Sequence, residues 1–195
     1  MNRRNLFIFG LSCLFLLGTM LTGDPIQAAG KEGVEQQRAE LRKMADDTLE
    51  RLYRMQPSSR TLIGKSAGYA VFSNFGMKIL LFGGGTGKGI AVYNETRQES
   101  FMKMVEVQAG LGIGVKKFRL VFVFEHKSDL DHFINSGWEF GAQGTAAAQA
   151  SGQGGSYAGA MSVVTGVWLY QLTDEGLALE LTAKGTKYYK DAALN

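Results

Sequence analysis

Residues 101–115 read FMKMVEVQAGLGIGV, and the period of two in this stretch decides the fold. Side chains alternate across a strand. Phe101, Val105, Val107, Ala109, Leu111, Ile113 and Val115 therefore share one face, while Met102, Met104, Glu106, Gln108, Gly110, Gly112 and Gly114 share the other. Lys103 is the one intruder on the apolar face. The alternating glycines would leave their face flat, so that another backbone, a helix or an acyl chain can approach closely.

Working outward, further strands are expected at 69–72, 78–82, 89–93, 119–125, 138–149, 163–172 and 177–182. Residues 128–135 (SDLDHFIN) offer a cap followed by Leu130, Phe133 and Ile134, the pattern of a two-turn helix. Residues 151–160 (SGQGGSYAGA) read as a flexible loop. Upstream, residues 31–56 contain no proline, and Val34, Leu41, Ala45, Thr48, Leu52 and Met55 recur at steps of three, four and seven. That spacing predicts one helix with one buried stripe. Its six basic and six acidic side chains balance, so it lacks the cationic face of a membrane-surface helix. Pro57-Ser58-Ser59 ends it, with Ser59 placed to cap a short helix over 60–65. The expected architecture is α+β, a long N-terminal helix packed on a strongly twisted or barrel-like, mainly antiparallel sheet. One domain over 29–195 suffices, with its helix at 31–56 and its sheet-rich core at 68–182.

The first residues carry a different signal. Arg3 and Arg4 precede an apolar run, LFIFGLSCLFLLGTML at 6–21, and Ala28-Ala29 follows shortly after. A run of that length falls short of the ~20 residues that span a bilayer, so residues 1–28 read as a secretory signal peptide cleaved after Ala28, the alternatives being an uncleaved anchor or a lipoprotein acylated at Cys13. The single cysteine, Cys13, lies inside it. The mature chain then holds no thiol, which suits an oxidising compartment such as a bacterial periplasm. A lone cysteine also excludes a disulfide framework and a cysteine-based zinc site.

Composition excludes classes without naming an activity. With 26 glycines in 195 residues, 11% aromatic and 20% charged side chains, the chain is neither collagen-like nor disordered. The net charge of +3 conceals a polarity. Residues 60–127 hold ten basic side chains against four acidic, a balance of +6, whereas 128–183 hold six acids and no Lys or Arg. Either the basic half meets an anion, or the two halves neutralise each other across the sheet.

The glycine run at 83–89 (GGGTGKG) invites a phosphate-loop reading, but the spacing fails. Phe82 stands where the first glycine of a nucleotide loop belongs, and Gly89 follows Lys88 where a Ser or Thr would hold magnesium. No nucleotide is expected. His126 and His132, with Asp129 and Asp131 nearby, match no standard metal spacing, and neither histidine joins a nucleophilic constellation. An exported chain with one short basic run, Lys116-Lys117-Phe118-Arg119, has little call for nucleic acid. The same run suits anionic lipid.

Several segments occur in the order of the SYLF domain: Gly68-Tyr69-Ala70-Val71-Phe72, the glycine run, Gln108-Ala109-Gly110, Leu120-Val121-Phe122-Val123-Phe124 and Trp138-Glu139-Phe140-Gly141-Ala142. The end of the chain, Leu172-Thr173-Asp174-Glu175-Gly176-Leu177-Ala178-Leu179 and then Gly185-Thr186-Lys187-Tyr188-Tyr189-Lys190-Asp191, resembles the bacterial, secreted branch of that family. The resemblance covers roughly residues 36–193 and implies a non-enzymatic lipid-binding module without cofactor or catalytic residues; eukaryotic members bind phosphoinositides, and some bind actin. Two departures stand out. Glu106 occupies a position that is often Gly in the family, and the leading helix, a membrane element in some eukaryotic members, is charge-neutral here.

The expected function is peripheral binding of anionic phospholipid at the cell envelope. Lys116, Lys117 and Arg119 are the first headgroup-contacting residues expected, then Lys78 and Lys88. The alternative is a structural module of the periplasm that docks an envelope protein partner.

Overall fold

The computed structural model describes residues 25–79, 82–109, 114–140, 158–178 and 185–195. The expected signal peptide lies outside the described residues up to position 24, as do the glycines at 110 and 112, the strand expected at 138–149 from position 141 on, the strand expected at 177–182 beyond 178, and residues 151–157 of the loop expected at 151–160.

Helix α1 (Pro25–Met55) leads, and the short α2 (Ser58–Lys65) follows it. Pro57, not Ser59, is the N-cap of α2; the Ser59 hydroxyl instead donates to the Gln56 carbonyl (2.6 Å) and is buried. Four long strands come next: β1 (Gly68–Ile79), β2 (Phe82–Tyr93), β3 (Glu99–Ala109) and β4 (Gly114–Phe124). Helix α3 (Lys127–Ser136) precedes β5 (Trp138–Phe140), β6 (Met161–Val164), β7 (Val167–Thr173), β8 (Gly176–Ala178) and β9 (Thr186–Lys190). All nine described strands form one curled antiparallel sheet in the order β5-β9-β3-β2-β1-β4-β7-β6, with β8 on β7. The fold is thus α+β, with the long helix on a curled antiparallel sheet as expected. No helix among the described residues is long and apolar enough to cross a membrane.

The sheet departs from expectation around the glycine run. The segments at 69–72 and 78–82 are not two strands: β1 runs unbroken across the first and ends at Ile79. The glycine run belongs to β2, whose backbone pairs with β1 on one side and β3 on the other. Its amides serve the ladders, not an anion-cradling loop. A Cβ on Gly87 would stand 2.6 Å from the Ser73 carbonyl oxygen and 2.8 Å from the Met104 sulfur, so close cross-strand packing requires glycine there. Residues 163–172 divide into a hairpin, β6 and β7, turning at Gly166 with φ +79°.

Both faces of the sheet are covered, which is why the strands are apolar on both sides. Leu41, Ala45, Leu49 and Leu52 of α1 pack on Tyr69, Val71, Ile90, Val92, Phe101, Val121, Val123 and Tyr170. Each buried leucine contributes about 1.5–3 kcal/mol. On the other face Phe72, Phe122 and Phe124 meet Phe133 of α3, with Trp138 and Tyr188 completing an aromatic cluster whose ring centroids lie 4.9–6.4 Å apart. Met102, Met104 and Glu106, on the more polar face of 101–115, point into this second core and are buried, while Val105 on the apolar face is 37% exposed. Met102 and Met104 share that core with Phe133 and Ile134 of α3 and Tyr188 of β9, whereas Val105 borders an open hollow.

Candidate functional site

The register of five strands builds the site. Beneath α1 one cross-strand row reads Phe101, Ile90, Val71, Val121 and Tyr170, all buried. Two residues further along the same strands, the next row reads Tyr189, Lys103, Lys88, Ser73, Arg119 and Leu172 across β9, β3, β2, β1, β4 and β7. Side chains two apart share a face, so three cations line up in four successive positions at the border of the helix-covered core. The following row carries Lys187, Val105, Thr86, Phe75 and Lys117.

Helix α1 supplies the opposite wall. Gln37, Leu41, Thr48 and Arg51 recur at helical steps along one side. Lys88 Nζ donates to Gln37 Oε1 (3.1 Å), and Arg119 Nη1 donates to Thr48 Oγ1 (2.9 Å), whose own hydroxyl donates to the Met44 carbonyl (2.6 Å). The Arg51 guanidinium donates to the Thr173 carbonyl. All three cations therefore hydrogen-bond to neutral oxygens, and none has a carboxylate within ion-pair distance among the described residues. Lys103 differs: its ammonium lies 2.8 Å from Asp191, a side chain only 2% exposed, and that hydrogen bond raises the lysine pKa above its ordinary value.

Two hollows open along the row and meet at Ser73, which lines both. The larger, about 550 Å³, has Leu41, Val105 and Tyr189 as apolar walls beside Lys88 and Lys103. The smaller, about 310 Å³, is lined by Arg51, Arg119, Lys117 and Asp174, with Leu172 and Phe118. The larger falls within the range of small-molecule sites and the smaller near its lower end. A channel with cations on its floor and wall, and apolar patches alongside, can hold an anion and shelter an attached hydrocarbon.

The chain resembles a known bacterial protein. It is 35% identical over 159 residues to Beta cell expansion factor A of Aeromonas veronii, an alignment covering 80% of this chain and 58% of that protein. The chain thus spans well under two thirds of that relative's length. No family model matches the chain.

Of the cations expected to contact a headgroup, the structure brings Lys88 and Arg119 into one row on either side of Ser73, with Lys117 in the next row. Lys78 and Lys116 occupy strand positions opposite Gly83 and Gly76, and their side chains lie outside the described residues. Sequence reasoning missed Arg51 and Lys103. Lys103 had a signal, as the one charge on an apolar strand face; Arg51 had none, because a balanced helix does not reveal which cation faces the sheet. Across the two halves of the charge map, Lys127–Asp131 joins a cation of 60–127 to an acid of 128–183.

Proposed function

We propose that this protein is a non-enzymatic module that binds anionic phospholipid peripherally at the cell envelope, after export to the periplasm. The observation that carries the reading is the row in which Lys88 and Arg119 flank Ser73, with Lys117 in the next row and exposed Val105 and Tyr189 alongside. Cations next to partly exposed apolar side chains match a membrane interface, where headgroups are anionic and the layer beneath is apolar. Each such cation contributes about 1 kcal/mol near an anionic surface, so several together supply useful affinity while one alone does not. The order of segments resembling the SYLF domain supports the same reading.

The experiment is vesicle co-sedimentation of the full chain. Vesicles containing phosphatidylglycerol or cardiolipin are expected to pellet it at low salt and to release it as salt shortens the range of the attraction, while neutral vesicles leave it in solution. Equal binding to neutral and anionic vesicles, or none to either, rejects the proposal and favours a docking module for an envelope protein.

A further inference from the structure

From the geometry of the two hollows we infer that the groove under α1 takes a single-chain anionic amphiphile as a discrete ligand, its phosphate or carboxylate head between Arg51 and Arg119 and its chain along the larger hollow. The inference rests on the anionic-lipid reading above and deepens it: it concerns one molecule held in the fold, not contact with a membrane surface.

The division of the groove carries the argument. At the smaller hollow, guanidinium groups from two different elements, α1 and β4, line one space, and each spends its described hydrogen bond on a neutral oxygen. Guanidinium forks match the oxygens of phosphate and carboxylate, and Arg51, Arg119 and Lys117 together outnumber Asp174, the carboxylate in the same lining, which leaves the space net positive and complementary to an anion. Ser73, which lines both hollows, then leads into the larger one. There the charge is lower, since Asp191 offsets Lys103, and the walls turn apolar. Val105 and Tyr189 are 37% and 36% exposed and border that space, an unusual exposure for large apolar side chains in this chain. Hydrocarbon laid against them would remove that surface from water. The order along one groove, anion site and then apolar channel, is the order of groups in a fatty acid or a lysophosphatidic acid.

The test is calorimetric titration of the full chain with lysophosphatidic acid below its micelle concentration, beside inorganic phosphate as head alone and a monoacylglycerol as chain alone. Lysophosphatidic acid is expected to bind at least about tenfold tighter than either. Arg51→Gln with Arg119→Gln, and separately Val105→Asp, should each weaken it about tenfold or more. Val164→Asp, at an exposed apolar position on β6 away from the groove, should leave it unchanged. Thermal unfolding of each variant identifies any that fails to fold, and Val105→Asp, at an exposed position, serves if the arginine pair does not.

Lysophosphatidic acid bound no better than phosphate, or no better than the neutral monoacylglycerol, overturns the inference. So does binding that Val105→Asp and Val164→Asp weaken alike. Vesicle binding that persists in those cases leaves the peripheral reading standing. Monomer binding without vesicle binding supports the groove and overturns the peripheral reading alone.

Discussion

Lys88 on β2 and Lys103 on β3 face each other as direct cross-strand partners, and among the described residues only Lys103 of the two has a carboxylate at hand, that of Asp191. Like charges directly opposite one another destabilise a sheet, so Asp191 makes the pair tolerable. Asp191 is itself held by the C-terminal turn, accepting from the Ala193 amide (3.1 Å) through its side chain and from Asn195 Nδ2 (2.7 Å) through its carbonyl. The last residues of the chain therefore help to keep two lysines side by side beneath α1.

Replacing that carboxylate should cost stability. Asp191→Asn removes a charged hydrogen bond and leaves Lys88 and Lys103 facing each other uncompensated, a loss of about 1–3 kcal/mol. Adding Lys103→Met removes the repulsion, so the double variant should lose less than the sum of the single ones. Urea unfolding of all four proteins measures this coupling.

Stability should fall on the alkaline side. Tyr93 donates to Asp131 Oδ1 (2.6 Å), and burial, reinforced by that bond, pushes its hydroxyl up to about 12. Burial also raises Tyr188, and hydrogen bonds to carboxylates raise Lys103 and Lys187. A group whose pKa is raised in the folded chain contributes in full below its ordinary value, and the contribution is lost as pH rises through the folded one. For Tyr93 that window opens at 10.0 and closes at about 12. Chemical denaturation across it should show declining stability, with a shallower decline in Tyr93→Phe.

The acid limb has its own groups. Lys127, with help from Tyr93, lowers the Asp131 pKa, and Lys187 lowers that of Glu139. Their contributions are present above the ordinary carboxylate values and lost as pH falls through the lowered ones. Asp131→Asn should therefore flatten the acid limb of the same stability profile, most clearly at low salt because these groups are exposed to solvent.

Two glycines of β2, Gly87 and Gly89, should resist substitution. A Cβ on Gly89 would run into the Phe72 ring and the Val71 carbonyl. Gly89→Ala forces a strand or a core ring to move, at a cost of about 1–3 kcal/mol. Phe122→Ala, which removes the ring that meets Phe72, Phe133, Trp138 and Tyr188, should cost more, about 3–5 kcal/mol. Midpoints of urea unfolding order the two.

The architecture was legible because hydrophobic period survives in α1 and in the apolar strands. What escaped were features set by neighbours in space. The glycine run at 83–89 looks like a loop in isolation and is a strand only because β1 and β3 pair with it on both sides. Residues 163–172 look like one strand, yet Gly166 turns the chain inside them. The TKYYK segment of β9 was noticed only as part of a family pattern, and its Tyr188 is wholly buried against the aromatic cluster. For the site, the basic half of the chain was visible from composition. The row was not, because Lys88, Lys103 and Arg119 become neighbours only through cross-strand register.

The central claim is that the row, and not the chain's net charge, reads an anionic surface. The direct measurement compares co-sedimentation with phosphatidylglycerol vesicles at low salt for three proteins: the unaltered chain, Lys88→Gln with Arg119→Gln, and Lys43→Gln with Arg54→Gln. The last pair removes the same charge from exposed positions of α1, where each cation pairs with a carboxylate one turn away. Loss of two cations from the row should weaken binding about tenfold or more, while the control pair binds like the unaltered chain. Equal weakening by both pairs, or none by the row pair, would contradict the account.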